Sequence, residues 1–404
     1  MIPDRVRLGL RANAHQFALL VALNAFVGAI VGLERSVLPL IGERDFELES
    51  TSAILVFIVA FGTTKALANL ASGHLADRAG RRRVLIAGWV LALPVPLLIG
   101  LAGSWAWIVG ANVLLGASQG LAWSMTVLMK IDLAGPRRRG LALGLNESAG
   151  YLGVALAAAV TGALAATVAP RTLVWAGALA LAVTGLTLTL VFVRETARHV
   201  ALEQAERVDT GRRPGILAAC SQAGFVNNAN DALAWGLLPL YLAASGASVA
   251  QIGAVAGIYP AVWGLAMLPA GALSDLVGRR PLIVAGMLVQ AAAFGVVAAG
   301  DGAFAPTVAG AVLLGLGTAL VYPTLLGAVA DAVEPRERAR AVGRYRFWRD
   351  AGLVGGALSV GLLVDALGSD VAILAVGAVT GVSGLIFLAM TQTSFERRST
   401  WQLT

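Results

Sequence analysis

Long apolar runs recur along the whole of this 404-residue chain and limit what it can fold into. Crossing the hydrocarbon core of a membrane, which is about 30 Å thick, takes roughly 20 mostly apolar residues in a helix. Twelve such runs lie at 15–40, 51–74, 83–102, 106–133, 139–167, 172–193, 216–243, 249–274, 281–300, 304–331, 340–366 and 371–392. The run at 84–102 lacks the alternation of a barrel strand. The chain is therefore predicted to be an all-α membrane protein with twelve transmembrane helices.

Composition supports this class and excludes others. The chain is 58% hydrophobic and only 13% charged, far more apolar than a soluble domain of this length requires. The single cysteine, Cys220, excludes an internal disulfide and argues against a cysteine metal site. Neither lysine, Lys65 or Lys130, lies in a glycine-rich phosphate loop, which excludes ATP-driven transport by this chain alone. No metal, cofactor or enzymatic activity is predicted.

The arginines indicate how the helices are oriented. They concentrate in alternate loops, and only Arg44 and Arg171 fall on the opposite side. Because basic residues are retained on the cytoplasmic side, both termini are predicted to be cytoplasmic and the protein to lie in the cytoplasmic (inner) membrane. The net charge of +7 is explained by this topology, so no nucleic-acid partner is expected.

The two halves of the sequence repeat each other. Three pairs of segments match at offsets of 198, 199 and 200 residues: 73–83 with 271–281, 132–139 with 331–338, and 38–40 with 238–240. Because six spans separate the copies, both insert in the same orientation, as parallel repeats do. The predicted domains are a six-helix bundle at 1–193, a cytoplasmic linker at 194–215 and a second six-helix bundle at 216–404.

The repeated loop after the second helix of each half carries a recognisable pattern. In the first copy it reads Gly-x-Leu-x-Asp-Arg-x-Gly-Arg-Arg, from Gly73 to Arg82. This pattern resembles the signature loop of the major facilitator superfamily, and the twelve-span layout is similar over essentially the full chain. The resemblance implies alternating access by rocking of two six-helix halves, with helices 1, 4, 7 and 10 lining a central cavity.

The resemblance also implies a gate on the cytoplasmic side. The acidic residue of each loop is expected to engage the start of a helix of the other half: Asp77 near Arg340 and Asp275 near Gly140. The loop arginines are expected to bridge to Asp132 and Asp331. The alternative is that these arginines only obey the orientation rule. The predicted gate comprises Gly73, Asp77, Arg78, Arg81, Asp132, Gly271, Asp275, Arg279, Asp331 and Arg340.

Ionisable residues within the predicted helices are functional candidates, because charge is costly inside a membrane. Low dielectric raises the pKa of a carboxyl, which lets it bind and release protons near neutral pH. Glu147 and Asp231, which lack an obvious local cation, and Asp350 are the predicted proton-coupling residues. In the alternative reading they only form buried ion pairs, such as Asp350 with Arg346. A repeat alignment also places Glu147 opposite Arg349.

Polar and aromatic residues on the cavity-lining helices are the substrate candidates. Three amides in one turn of helix 7 suggest hydrogen bonds to a polar ligand, although amides also join membrane helices to each other. Basic residues within the membrane favour an anionic substrate. The predicted substrate-binding residues are Asn227, Asn228, Asn230, Arg349, Arg346, Lys65, Arg35, Trp123, Gln119 and Tyr322.

Three functions are weighed. The first is a secondary active transporter of a small polar, charged organic solute, coupled to protons. The second is a proton-driven multidrug efflux pump. Two departures weaken it: many such exporters of the family carry arginine where this chain has Gly116, and helix 5 lacks the Gly-Pro element of antiporters. The third is a non-transporting receptor or sensor. The expected partners are a small-molecule substrate, protons and the lipid bilayer, and the chain is expected to be a monomer.

Overall fold

The computed structural model describes residues 7–35, 38–48, 51–164, 168–206, 213–247 and 249–396. Within these ranges the chain forms α-helices and short helical turns. The helices are α1 (Ala14–Arg35), α2 (Leu38–Asp45), α3 (Thr51–Ala79), α4 (Arg81–Ala92), α5 (Pro94–Gly100), α6 (Trp105–Ala134), α7 (Arg139–Leu164), α8 (Pro170–Phe192), α9 (Ala197–Glu206), α10 (Pro214–Ala232), α11 (Leu238–Ala244), α12 (Val249–Val277), α13 (Arg279–Ala299), α14 (Phe304–Asp331), α15 (Arg338–Leu367) and α16 (Ser369–Glu396).

These helices reproduce the twelve predicted spans and confirm the predicted fold class. Three spans are interrupted: α1 with α2, α4 with α5, and α10 with α11 each form one segment, while α9 lies in the linker. Among the described residues, nine helices are long and apolar enough to cross a membrane. The remaining three segments, α6, α7 and the α10–α11 pair, each carry at least four buried polar residues. A helix enclosed by protein needs less apolar surface than one facing lipid.

The chain divides into two compact units that exchange the beginnings of two helices. The first unit contains Met1–Arg138, Leu145–Val208 and Pro335–Phe347, and the second contains Arg139–Gly144, Asp209–Glu334 and Trp348–Thr404. Helix α7 therefore begins in the second unit and continues in the first. Helix α15 does the reverse.

The α10–α11 segment contains a π-helical turn at Leu233–Leu237, which begins two residues after Asp231. Such turns widen the helix by one residue and are frequent at functional sites. The turn rotates the side chains that follow it about the helix axis relative to those that precede it.

The repeated loop is a one-residue turn between two helices. Gly80 separates α3 from α4 with φ 88° and ψ 155°, and Gly278 separates α12 from α13 with φ 90° and ψ 167°. This backbone region is essentially restricted to glycine. The glycine in the repeated pattern is therefore required by the turn geometry in both copies.

Two further glycines of the repeat lie where helices touch. A Cβ atom on Gly73 would be 2.5 Å from the carbonyl oxygen of Ala339, in the first unit. A Cβ atom on Gly271 would be 2.3 Å from the carbonyl oxygen of Gly140, in the second unit. Each loop thus brings the end of one helix into backbone contact with the start of another, as small residues allow in membrane proteins.

We expect Gly278→Ala to lower the free energy of unfolding by about 1–2 kcal/mol, because alanine is strained at this φ and ψ. No atom lies within 4 Å of the added methyl group, so the loss reports backbone strain alone. Gly295→Ala is the matched control, since it adds a methyl group in equally open space within α13, the helix that follows Gly278. The midpoint of thermal denaturation in detergent should fall for Gly278→Ala and not for the control. Equal midpoints would contradict the assignment.

Candidate functional site

The second unit contains a cluster of loop charges around the start of α7, which we call the second loop cluster: Arg139, Asp275, Arg279 and Asp331. Asp275 accepts hydrogen bonds from the backbone N–H groups of Gly140 (2.8 Å) and Leu141 (2.9 Å). A carboxylate in this position satisfies unpaired N–H groups and the positive end of the helix dipole. Asp275 therefore caps α7, and the Arg279 guanidinium lies 2.8 Å from it.

Asp331 joins two arginines within this cluster. Its carboxylate lies 2.5 Å from Nη1 of Arg139 and 3.3 Å from Nε of Arg279. Arg139 is buried, so its charge needs this partner. The first residue of α7 is thereby bonded to the last residue of α14.

The first unit contains the corresponding cluster at the start of α15, which we call the first loop cluster: Arg81, Asp132, Arg338 and Glu203. Asp132 lies 3.3 Å from Arg81 and 3.1 Å from Arg338. Beside it, Asp77 lies 2.8 Å from Nε of Arg340 and 4.0 Å from Arg81. The structure thus brings together the predicted gate residues of both copies, apart from Arg78, whose side chain is exposed.

Sequence reasoning missed the part that the linker plays in the first loop cluster. The carboxylate of Glu203, on α9, accepts hydrogen bonds of 2.7 and 2.8 Å from Nη2 of the fully buried Arg338. Thr196, just before α9, donates to Asp132 at 2.9 Å. Burial beside these residues lowers the pKa of His199, against the opposing influence of Asp132. The repeated Arg338 was the available signal, because its counterpart Arg139 also needed an acidic partner.

Glu147 is the centre of a buried polar network in the first unit. Its side chain is fully buried, and both carboxylate oxygens accept from Nε1 of Trp123, at 3.1 and 3.2 Å. Asn146 donates to Oε1 at 2.8 Å, and Nη1 of Arg346 lies 3.9 Å from the same oxygen. No cation is obvious near Glu147 in the sequence, but Arg346 of α15, almost 200 residues away, lies beside it.

The same network includes both lysines. Nζ of Lys130 lies 2.5 Å from Oδ1 of Asn146. The Asn24 amide on α1 donates to the backbone carbonyl of Asn146 at 2.7 Å. Lys65 lies with its ammonium 5.5 Å from the ring of Trp123, in cation–π range. Lys130, Asn146 and Asn24 were not predicted as site residues.

The structure also corrects the repeat alignment of helices α7 and α15. Gly153 and Gly352 each pack on a backbone carbonyl of the first helix of their own half, α1 or α10. They lie 199 residues apart, and at this offset Glu147 corresponds to Arg346 rather than to Arg349. The shift of three residues arose from aligning the Ala-Gly pairs. The repeat therefore places a carboxylate and a guanidinium at equivalent positions, and they pair.

A row of aromatic residues links two carboxylates in the second unit. Tyr259 donates its hydroxyl to Asp231 and stacks on Trp263, with 5.7 Å between ring centroids. Trp263 meets Tyr322 edge-to-face at 6.2 Å. The guanidinium of Arg349 lies 3.8 Å from the centre of the Tyr322 ring.

Arg349 completes this row by binding Asp350. Its Nη1 lies 2.9 Å from Oδ1 of Asp350, its immediate neighbour in sequence. Arg346, the partner of Asp350 in the alternative reading, lies 3.9 Å from Glu147. A guanidinium held between an aromatic face and a carboxylate has a fixed orientation.

Several predicted substrate residues join helices to each other. Asn227 and Asn230 both donate to Oε1 of Gln290 on α13, each at 2.9 Å. Oδ1 of Asn230 also accepts from Thr380 on α16 at 2.9 Å. Gln119 likewise donates to the carbonyl of Val27. These contacts match the alternative of helix-to-helix amide bonding.

Two further substrate candidates lie on the first helix of each half. Asn228 is buried on α10. Arg35 is the last residue of α1, and its side chain lies outside the part of the chain that the structure describes.

Comparison with known proteins identifies the family. The Major Facilitator Superfamily model matches residues 17–226 and 220–400. The chain therefore belongs to the major facilitator superfamily, a family of transport proteins and not of enzymes.

Curated relatives match over shorter lengths. Multidrug resistance protein MdtG of Enterobacter lignolyticus is 28% identical over 58% of this chain and 58% of its own. Human solute carrier family 2, facilitated glucose transporter member 10, is 35% identical over 25% of this chain and 19% of its own. The 3-(3-hydroxy-phenyl)propionate transporter of Escherichia coli is 35% identical over 27% of each. The matches thus span less than two thirds of these relatives.

Solved structures share the fold over nearly the whole chain. The human organic anion transporter MFSD10 aligns with a TM-score of 0.75 and 17% identity, covering 92% of this chain and 99% of its own. The proton:xylose symporter XylE aligns with a TM-score of 0.75 and 14% identity, covering 93% and 96%. These likenesses establish a common fold.

We expect Glu203→Ala to lower the free energy of unfolding by about 2–3 kcal/mol, because it removes the carboxylate that lies 2.7 Å from the fully buried Arg338 guanidinium. Glu337→Ala is the control, since this carboxylate next to Arg338 in sequence is exposed. Chemical denaturation in detergent should separate the two variants. If both lose the same stability, α9 is not held by the Glu203–Arg338 pair.

Proposed function

We propose that this protein is a secondary active transporter that moves a small, polar, charged organic solute by alternating access and uses the proton gradient. We further propose that it works as a monomer in the cytoplasmic membrane with both termini in the cytoplasm. Family membership supports transport, and the distribution of arginines supports the orientation.

The observation that carries proton coupling is the fully buried Glu147 within a membrane-spanning helix. It accepts hydrogen bonds from Trp123 and Asn146 and lies beside Arg346. A carboxylate whose partners change between conformations can bind a proton in one conformation and release it in another. Asp231, bonded to Tyr259, and Asp350, bonded to Arg349, are the corresponding candidates in the second unit.

An organic anion is the substrate class that the basic residues support. Arg349 stacks on Tyr322, and Arg346 lies 3.9 Å from Glu147. Each guanidinium group thus has a fixed position from which it can bind the carboxylate of a substrate. A relative matched over about a quarter of the chain is named for an aromatic acid. Asn227 and Asn230 are assigned a structural role because their amides join α10 to α13.

Multidrug efflux is the second candidate, since MdtG gives the longest match among the relatives named above. One feature opposes it. A Cβ atom on Gly116 would lie 2.4 Å from the carbonyl oxygen of Phe61, so close helix packing occupies the position where many exporters carry arginine. A thermal-shift screen against organic anions, lipophilic cations and neutral sugars separates the readings. Stabilisation by lipophilic cations alone would favour efflux.

We expect Glu147→Gln to abolish proton-driven accumulation and to retain exchange of the substrate identified by this screen. The amide keeps the shape of the side chain but cannot bind and release a proton. In proteoliposomes, an imposed pH gradient should drive uptake by the wild type, whereas Glu147→Gln should show counterflow only. Asp231→Asn tests the candidate of the second unit in the same assay.

The control for this experiment is Glu337→Gln, which neutralises an exposed carboxylate outside both networks. It should accumulate substrate as the wild type does. Proton-driven accumulation that survives both Glu147→Gln and Asp231→Asn would contradict the assignment of the proton sites.

The two loop clusters are proposed to close the cytoplasmic side of the transporter. Asp275 caps α7, and Asp77 binds Arg340 at the start of α15. Both contacts would have to break for the cytoplasmic side to open. The alternative, that these arginines serve orientation alone, predicts no conformational effect when an aspartate is neutralised.

We expect Asp275→Asn to raise the rate at which a cysteine at the start of α7 reacts with a maleimide by about fivefold, because a lost charge-assisted contact shifts the equilibrium by about 1 kcal/mol. Ala142→Cys, at a fully buried position, supplies the probe after the only cysteine is removed as Cys220→Ser. Asp301→Asn, at an exposed turn, is the matched control. Equal rates in all three backgrounds would exclude the gate.

A further inference from the structure

The two copies of the repeated turn between helices differ in what lies against them. In the first repeated turn, at 78–83, the backbone N–H groups of Arg81 and Arg82 donate to Glu195 at 3.1 and 3.0 Å. A carboxylate in this position satisfies N–H groups that have no partner within the helix. The first repeated turn thus binds an anionic group, which the segment after α8 supplies.

The second repeated turn, at 276–281, presents the same N–H groups to its surroundings. Gly278 has nearly the same backbone angles as its counterpart Gly80. In the part of the chain that the structure describes, no side chain caps α13, and no acceptor is bonded to the backbone N–H groups of Arg279 and Arg280. Because the start of a helix attracts anions, the start of α13 is open to an anionic group from another molecule.

A basic side chain lies next to these N–H groups. Arg280 is half-buried, and its Nη2 donates to the backbone carbonyl of Leu388 on α16 at 3.3 Å. This bond fixes the position of the guanidinium group, which has five N–H donors in all. The adjoining second loop cluster contains two arginines and two aspartates, so the turn and the cluster together carry one net positive charge.

Apolar side chains replace basic ones at both ends of the second repeated turn. At the offset of 198 residues, Leu276 corresponds to Arg78. Pro281 corresponds to Arg83 in the same way. Leu276 is 82% exposed and the adjacent Val277 is 51% exposed. Large exposed apolar side chains at the end of a membrane-spanning helix indicate that this turn contacts lipid.

The exposed faces of both helices continue up to this turn. Exposed residues recur every three or four positions, which is the spacing of one helix face. They are Ala261, Leu265, Pro269, Leu273 and Leu276 on α12, and Pro281, Ala285, Leu288 and Ala292 on α13. Both helices are apolar enough to span a membrane, so these faces contact acyl chains. A phospholipid whose chains lie against them has its phosphate at the level of the turn.

We propose that the second repeated turn binds an anionic phospholipid of the membrane. The phosphate accepts from the backbone N–H groups of Arg279 and Arg280 and from the Arg280 guanidinium, and the acyl chains lie along α12 and α13. Phosphate is a favourable ligand both for a helix start and for arginine. The first repeated turn does not share this site, because Glu195 holds its N–H groups and basic residues replace the apolar side chains.

The test is native mass spectrometry of the purified protein, titrated in detergent with phosphatidylglycerol or with phosphatidylcholine of the same acyl chains. The wild type should bind phosphatidylglycerol more tightly, because its headgroup carries no positive charge. Arg280→Gln should weaken this binding about fivefold, which is the effect of one basic residue at an anionic membrane surface. Arg82→Gln is the matched control, since Arg82 makes the equivalent bond to Leu190 on α8, and it should leave the tightest binding unchanged.

Pro281→Glu distinguishes loss of binding from loss of structure. Its carboxylate lies in the opening turn of α13, where it stabilises the helix and repels a phosphate. This variant should therefore bind phosphatidylglycerol weakly, whereas its midpoint of thermal denaturation in detergent should not fall.

Four results would overturn the proposal. Equal binding of the two lipids would show that the contact is only apolar. Equal losses in Arg280→Gln and Arg82→Gln would show that the charges act without a defined site. Undiminished binding in Pro281→Glu would exclude the start of α13 as the phosphate position. Displacement of phosphatidylglycerol by an equal concentration of inorganic phosphate would show a site for soluble anions, not for a lipid.

Discussion

Lipid offers no hydrogen-bond partner, so every polar group within the spanning part of this chain has to be satisfied by the protein itself. Helix formation satisfies the backbone, but it leaves the first N–H groups of each helix and every buried side-chain charge unpaired. Asp275 provides for both needs at the start of α7 by accepting two backbone N–H groups and contacting Arg279. The same requirement governs the buried networks around Glu147 and Asp231.

Because the sequence is duplicated, each half has a loop cluster of paired charges. Because the two copies have diverged, the clusters differ in their residues. Asp331 joins two arginines in the second loop cluster, whereas the first loop cluster adds Glu203 from the linker helix α9. The extra carboxylate compensates a fully buried Arg338. Deeper in the membrane, the repeat pairs Glu147 with Arg346, two equivalent positions with opposite charge. Identical side chains there would repel or would lack a partner.

The amides show how far a residue pattern predicts a site. Three asparagines in one turn of α10 indicated a polar ligand, but two of them bond to Gln290, which lies 60 or more residues away. Glu147 was predicted to be functional from its depth in a helix, yet neither its cation nor its link to Lys130 could be inferred. Each of these contacts depends on which faces of the helices meet. Helices that are apolar on most sides carry little information about those faces.

The sequence by itself determined the helical membrane class, the twelve spans, the duplication and the repeated loop with its glycine turn. These follow from local composition and spacing, because the length of an apolar run and a glycine-restricted backbone need no distant partner. The tertiary structure alone decided the partners: Arg346 for Glu147, Asn146 for Lys130, and Glu203 for Arg338. All three pairs join residues on different helices. Their choice depends on packing, because a buried charge is stabilised only by the group that packing places beside it.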